Sequence, residues 1–484
     1  MLSRFSNLSH KRILHIADLL LEDDDDGSAE DRYDGKAGAQ ATELTYSGEQ
    51  AIFNLSRTST FLYKFLSSYL FRNITLRNSA KSGQAVQYLC STSQIANIKT
   101  LHFKGKTPAK EEEDFRTFES IFPAEVNDIL SNLSRFPCLA TLIIDFDVED
   151  HWTEVFYDLW RFDTSEGEEE IKKAEEQKLW RALIKKTLEA ISTTCSDSVR
   201  DFVFKQYPIL PNSVLGSVPF NEWLGKLESF RFELYGRCSI GQQTDALGVM
   251  NRRFHMTPQF PTYFDKLDYY FLDAIRNVTR LAIVGDEQGV IGRTFWPPAR
   301  FPLRTTHVPK LKELELGYFS IQADLLDFLV AHSSTLEHLI FNNSFLECTQ
   351  NSESSCVAPG TWKSWFQDYA SQGPRALQRV TFLPYRETGG PLYCSKEFNL
   401  SIKQSQFDVE RKAEMKKHRM FLYGMIEPEC GTLVWLNHII TQRLLEEDLD
   451  GWYELMAVVT RNRERVKGEW ILDASGDVSN VRHG

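Results

Sequence analysis

The sequence predicts an α/β fold wound from one repeated strand–helix unit, and three observations predict it. An apolar phrase of the form L-x-x-L-x-L recurs along most of the chain. An amphipathic helical stretch precedes most of its copies. The closest copies stand 25 residues apart, which is room for one strand and one helix and little else. The copies are Ile98-Leu101-Phe103, Leu139-Leu142-Ile144, Val199-Phe202-Phe204, Leu227-Phe230-Phe232, Val278-Leu281-Ile283, Leu311-Leu314-Leu316, Leu336-Leu339-Phe341 and Leu377-Val380-Phe382, with Phe71-Ile74-Leu76 leading the series.

The last two apolar places of each phrase are two residues apart, so they face one side of a short strand, and the first place sits where the chain turns into it. A unit of this kind buries its apolar edge only by stacking on its neighbours, as in a leucine-rich-repeat solenoid. Intervals from Ile98 onward are 41, 60, 28, 51, 33, 25 and 41 residues, so the repeats are irregular and several carry insertions. Strand and helix wound in one right-handed sense place a parallel sheet on the concave side and helices on the convex side.

The helices follow from apolar spacing. Leu325, Leu326, Phe328 and Leu329 make one face, ended by His332, Ser333 and Ser334. Val126, Ile129, Leu130 and Leu133 precede the strand at Leu139, and Trp180, Leu183, Ile184, Leu188 and Ile191 the one at Val199. Leu267, Tyr270, Phe271 and Ile275 lead to Val278, and Trp362, Trp365, Phe366 and Tyr369 to Leu377. Glu168-Lys172 and Glu169-Lys173 are i,i+4 pairs that predict a solvated helix. Beyond residue 384 the phrase is lost; a charged helix over Asp408 to Arg419, an apolar helix near Leu433 to Leu445 and a Trp-containing end (Trp452, Trp470) are expected to cap the array.

The chain has 484 residues and a net charge of −12, but residues 22–34 (EDDDDGSAEDRYD) alone carry eight acids against one Arg. The remainder is close to neutral and has no basic tract, so nothing points to nucleic acid. The eight cysteines form no C-x-x-C and read as small buried apolar groups. No run of about 18 apolar residues suggests a membrane span. The short apolar run Ile13 to Leu21 is interrupted by His15 and Asp18 and has no small-residue cleavage site after it. A cytoplasmic or nuclear setting is expected.

Residues 5–76 depart from the repeat. Leu8, Ile13, Ile16, Leu19 and Leu20 give one helical face, and Ile52, Leu55, Phe61, Leu62, Phe65 and Leu66 continue it. Leu55-Ser56-Arg57-Thr58-Ser59, then Leu62, then Leu70-Phe71-Arg72-Asn73-Ile74-Thr75-Leu76 resemble the second half of an F-box. In the first half Ser9 stands for the usual Pro and Lys11 for the usual Glu, and about 25 extra residues split the module. With Gly360-Thr361-Trp362 after a repeat, the layout is similar to the F-box and leucine-rich-repeat proteins of filamentous fungi. The resemblance implies three regions: a small all-α F-box-like module over 1–78 with an acidic insertion at 22–50, a solenoid over 79–384, and a cap over 385–484. It implies that Leu8, Ile13, Ile16, Leu20, Leu55, Leu62 and Phe65 face the Skp-type adaptor of a cullin ubiquitin ligase, while the repeats hold a protein substrate. The alternative is that these helices only cap the first repeat.

Outward strand positions point into the concave face, where solenoids bind partners. They include His102, Lys104, Lys205, Arg231, Glu233, Glu315 and Asn342, a mixture of signs that suits a polypeptide better than a polyanion. The loop Phe295-Trp296-Pro297-Pro298 with Arg293, Arg300 and Arg304 has the composition of a binding hot spot, and equally of a self-packed loop. There is no G-x-S-x-G and no G-x-x-x-x-G-K, and the pair His332 and His338 lacks a third ligand. The expectation is a binding protein without catalytic residues, metal or cofactor, whose partners are the adaptor and a protein substrate rather than nucleic acid or membrane.

Overall fold

All three apolar places of the eight phrases are buried in the computed structural model of the chain, none more than 4% exposed. The structure describes residues 54–106, 117–147, 168–193, 197–235, 243–244, 250–251, 263–285, 291–292, 301–347, 349–352, 355–357, 360–383, 421–426, 433–435 and 438–475. The chain divides into two compact units, and the fold is mixed α/β with a mostly parallel sheet.

In the first unit, helix α1 (Thr60–Leu70) is followed by β1 (Asn73–Arg77), α2 (Ala80–Cys90) and β2 (Thr100–Lys106). Then come α3 (Ala124–Ser131), β3 (Thr141–Asp147), and α4 (Glu168–Gln177), which straddles the two units, before α5 (Leu179–Thr193) and β4 (Asp201–Pro208), of which the part through Lys205 belongs here. The strands pair parallel in sequence order, with Leu76, Phe103, Ile144 and Phe204 aligned in one buried row. The closing F-box-like stretch Leu70–Leu76 is therefore the first strand of this sheet. Leu62 and Leu66 of α1 form their own small cluster with Leu55, Phe65, Tyr69 and Leu70.

The second unit carries β5 (Ser229–Tyr235), β6 (Arg280–Val284), β7 (Glu313–Gly317), β8 (Ser320–Ile321), β9 (His338–Asn342), β10 (Phe345–Glu347), β11 (Arg379–Leu383), β12 (Leu422–Ile426) and β13 (Leu433–Trp435). Its helices are α6 (Val218–Leu224), α7 (Ala323–Ala331), α8 (Trp362–Ser371) and α9 (His438–Ser475). Strands β5, β6, β7, β9 and β11 pair parallel in that order. A second sheet runs β8-β10-β12-β13, antiparallel only at its last pair.

A single backbone device repeats at the strand entries. The last amide before a strand and the first amide of that strand donate to one carbonyl of the preceding repeat: Lys99 and Thr100 to Arg72, Ala140 and Thr141 to Lys99, Arg200 and Asp201 to Ala140. In the second unit Thr279 and Arg280 donate to Glu228, Lys312 and Glu313 to Thr279, Glu337 and His338 to Lys312, Gln378 and Arg379 to Glu337. This satisfies amides that the turn into the strand would otherwise leave unpaired. Strands β6 and β7 approach so closely that a Cβ on Gly317 would lie 2.5 Å from Val284 Cγ1, which only glycine avoids.

Helix α8 is fixed by caps from three segments. Thr361 and Ser364 form a reciprocal capping box, Tyr423 Oη accepts from the Trp362 amide at 3.1 Å, and Asp448 Oδ1 accepts from the Lys363 amide at 3.0 Å. All four amides from Thr361 to Ser364 are thus bonded. Tyr423 Oη in turn donates to Asp448 at 2.8 Å, and Trp362 Nε1 donates to Leu422 O. Helix α9 continues along the unit, and Asn462 Nδ2 donates to the carbonyls of Pro374 and Leu377, just before β11. Burial pushes the Asp448 carboxyl up to about 6, against the Tyr423 and Lys363 hydrogen bonds that favour its charge.

Several expectations need correction. Residues 433–435 are a strand, not the start of an apolar helix, because β12 offers them an edge; the helix begins at His438. Lys172 pairs with Glu168 as expected but also with Glu169, and α4 runs Glu168–Gln177. Cys138 is exposed and Cys90 only half-buried, so neither is the buried apolar group expected of it. The residues leading to Val278 form a short π-helical turn, Asp268–Leu272. No described helix is long and apolar enough to cross a membrane. The expected helix over 408–419 and the Trp296-Pro297-Pro298 loop lie outside the described residues.

Candidate protein-binding face

Alternation along the parallel strands turns one of their sides into a polar face in each unit. In the first unit its rows are set by register. Asn73, Thr100, Thr141 and Asp201 align; next Thr75, His102, Ile143 and Val203; then Arg77, Lys104, Asp145 and Lys205. His102 Nε2 lies 3.1 Å from Asp145 Oδ2. Arg77 and Lys104 are exposed, and among the described residues neither has an ion-pair partner.

In the second unit four of the sequence-predicted residues meet in one network. Arg231 Nε donates to Glu233 Oε1 at 2.6 Å and its NH1 to Glu315 Oε2 at 2.5 Å, while Asn342 Nδ2 donates to Glu315 Oε1 at 3.1 Å. The Glu315 side chain is 12% exposed and that of Arg231 32%, so the pair is half shielded from water. Burial works against the guanidinium charge, but Glu315 and Glu233 outweigh it and raise its pKa. A second cluster lies nearer the entries of β7 and β9 and reaches across to β11. His338 bonds Glu313 Oε2 through Nδ1 at 3.1 Å and Thr381 Oγ1 through Nε2 at 2.9 Å. The His338 bond holds the Glu313 carboxyl below the usual glutamate range, with Arg280 and Arg379 adding to it against burial.

Sequence reasoning missed Asp145, Glu313, His338, Thr381 and Arg77 as members of this face. A simple signal finds most of them. The residue after the third apolar place gives Arg77, Lys104, Asp145, Lys205, Glu233 and Asn342, though Val284 and Gly317 at the same place are buried, and the residue before it gives His102, Arg231, Glu315 and Thr381. His332, weighed against metal binding, is 3% exposed and holds two carbonyls, Phe328 O and His307 O, each at 2.9 Å. Among the described residues no three His, Cys, Asp or Glu side chains gather as metal ligands would.

Of the expected adaptor-facing residues, Leu8, Ile13, Ile16 and Leu20 lie outside the described residues. Leu62, expected on the docking side, is instead 4% exposed and packed on Leu66, because the 62/66 stripe of α1 turns inward. Leu55 and Phe65 are partly buried against that cluster. The neighbouring stripe is the exposed one: Phe61 is 49% exposed and stacks on Phe65 at 6.1 Å, while Tyr63, 43% exposed, lies on another side of the helix. The two apolar stripes are one residue apart, which is why the sequence read them as one face.

Residues 289–395 match a family model described as FBD-associated F-box protein At5g56370, LRR repeats. The matched stretch is less than half of the chain and includes β7, β9 and β11, the most regular part of the second unit. No curated protein matches the chain.

Proposed function

We propose that this chain is a protein-binding receptor: a right-handed leucine-rich-repeat solenoid of the F-box type whose polar face holds a polypeptide target. In this reading its N-terminal helices dock the Skp-type adaptor of a cullin ubiquitin ligase, and the chain supplies no catalytic group. The observation that carries the binding role is the polar face itself, where Arg231, Glu233, Glu315 and Asn342 are pre-positioned by one another. Side chains fixed in this way lose little entropy when a partner arrives, and partly exposed Arg is a favoured anchor. The family match over residues 289–395 supports the F-box and repeat assignment. The exposed Phe61, stacked on Phe65 one turn along α1, supplies an aromatic surface of the kind a helix-in-groove contact uses.

A second reading keeps the receptor and drops the adaptor. It is favoured by the pairing of β1 with β2 and by the inward turn of Leu62, both of which make α1 and β1 a cap on the first turn. Co-expression of the full chain with a Skp-type adaptor, followed by size-exclusion chromatography, separates the two. Co-elution that Phe61→Asp abolishes while the circular dichroism spectrum stays unchanged supports the ligase reading. Separate elution of two folded proteins leaves the stand-alone receptor.

A further inference from the structure

We propose that α9 ends the run of repeats by imitating a further repeat with its side chains, and that it thereby keeps a second copy of this chain from adding a strand beside β11. Two sets of hydrogen bonds match position for position. The α7–β9 repeat offers two carbonyls to the α8–β11 repeat: Ser333 O accepts from the Ala376 amide at 2.8 Å, and Glu337 O accepts from the Gln378 and Arg379 amides at 2.8 and 3.0 Å. His338 and Arg379 are register partners, so the equivalent carbonyls of the α8–β11 repeat are Pro374 O and Gln378 O. Among the described residues no strand follows β11 in its sheet, yet both carbonyls are bonded. Asn462 Nδ2 donates to Pro374 O at 2.6 Å, and Arg463 Nε to Gln378 O at 2.7 Å. Asn462 also reaches Leu377 O at 2.9 Å, and Arg465 NH2 reaches Arg375 O at 2.6 Å.

The donors reach this end because of how α9 is seated. Asp448, Trp452, Leu455, Val459 and Asn462 recur every three or four residues and make one buried helical stripe, none of them more than 9% exposed. At its start Asp448 caps α8, and Gly451 meets α8 so closely that a Cβ there would lie 2.6 Å from Lys363 Cα. About four turns later Asn462 closes the stripe at the entry of β11. Arg463 then supplies a charge-assisted bond, about twice as strong as the neutral amide bond it replaces.

What is kept out follows from the same pattern. An open strand edge is a template for another strand. A parallel strand that continues the order beyond β11 must bring amides to Gln378 O, as β6, β7, β9 and β11 each bring theirs to the strand before. In a second copy β1 is the strand with a side to offer, since among the described residues it pairs only with β2. Joining β1 of one copy to β11 of another is a head-to-tail contact that does not close on itself, so it would grow into chains of molecules. This closure stands apart from the receptor reading and holds whatever the polar face binds.

The test compares the full chain with a double variant, Asn462→Ala with Arg463→Ala, by size-exclusion chromatography with light scattering at rising concentration, and by hydrogen exchange. The parent is expected to keep one mass throughout. The variant, with a circular dichroism spectrum like the parent's, should reach about twice that mass or more and go on growing with concentration. The exchange protection it gains on association should fall on peptides covering 73–77 and 379–383. Arg463→Lys, which keeps a donor at that place, should associate less. Where the double variant does not fold, Arg463→Ala alone carries the test, because it leaves the buried stripe of α9 intact. A folded variant that keeps the parent's mass, or one whose new protection lies elsewhere, would overturn the proposal. So would a parent that already grows with concentration through the same two strands.

Discussion

The parallel strands of the two units share one construction and differ in what their polar faces do with charge. In the second unit the outward groups satisfy one another: Arg231 with Glu233 and Glu315, Asn342 with Glu315, His338 with Glu313 and Thr381. In the first unit the outward row holds Arg77 and Lys104 without an ion-pair partner among the described residues, and the row beside it ends in aliphatic Ile143 and Val203. The buried sides are alike, so the difference is not one of folding. It teaches that stability and recognition are separable in this architecture: the inward places hold the sheet together, and the outward ones are free to be self-paired or left open.

Substitutions break that comparison with effects of graded size. Trp362→Ala should cost most, about 3–5 kcal/mol in denaturant unfolding, because a fully buried indole with a bonded Nε1 is removed from the second unit. A loss below 1 kcal/mol would mean that α8 does not anchor this unit. Asp448 gives the next effect, and it depends on pH. Its carboxyl is pushed up to about 6 by burial, above the usual aspartate value near 4, so its charge costs stability above about pH 6. The fold gains stability as pH falls from about 6 to about 4, and below that the group adds nothing further. Asp448→Asn keeps Oδ1 for the Lys363 amide and should be about 1–3 kcal/mol more stable than the parent at pH 8. That advantage should fade toward pH 4; parallel stability curves would refute it.

Glu315→Ala leaves Arg231 and Asn342 without their shared acceptor on the polar face. Because the pair is only half shielded, a loss of about 1–2 kcal/mol is expected, with Glu315→Gln intermediate. Lys104→Gln in the first unit should change stability by less than about 0.5 kcal/mol, since nothing in the fold relies on its charge. A larger loss would show that the first unit's row is also structural and would erase the contrast.

The parallel strands were legible in the sequence because burial leaves a record at fixed spacing: Leu311, Leu314 and Leu316 are apolar for the same reason that all three are 0% exposed. The helix at Trp362 was legible for the same reason. What could not be read was pairing between distant segments. Asp448 caps a helix 85 residues upstream, and Leu433–Trp435 is a strand only because β12 lies beside it. An apolar run of that length fits a helix or a strand equally until its neighbour is known. The polar face was half legible. Arg231, Glu233, Glu315 and Asn342 were found by alternation, but that they meet depends on a register that brings Glu233 and Asn342 to the same level. Leu62 was misplaced because two apolar stripes on α1 differ by one residue, and only packing tells which turns inward.

The carbonyl shared by two amides at the strand entries has a consequence for how such a chain changes over generations. Each strand is pinned where it enters, not where the previous one leaves, so its level does not depend on how much chain lies between. Intervals from 25 to 60 residues arrive at the same alignment, as Leu316 beside Phe341 and Ile144 beside Phe204 illustrate. Added residues lengthen the interval between strands, while the rows of outward side chains keep their order. A lineage built on this plan can lengthen its loops and rewrite its face independently.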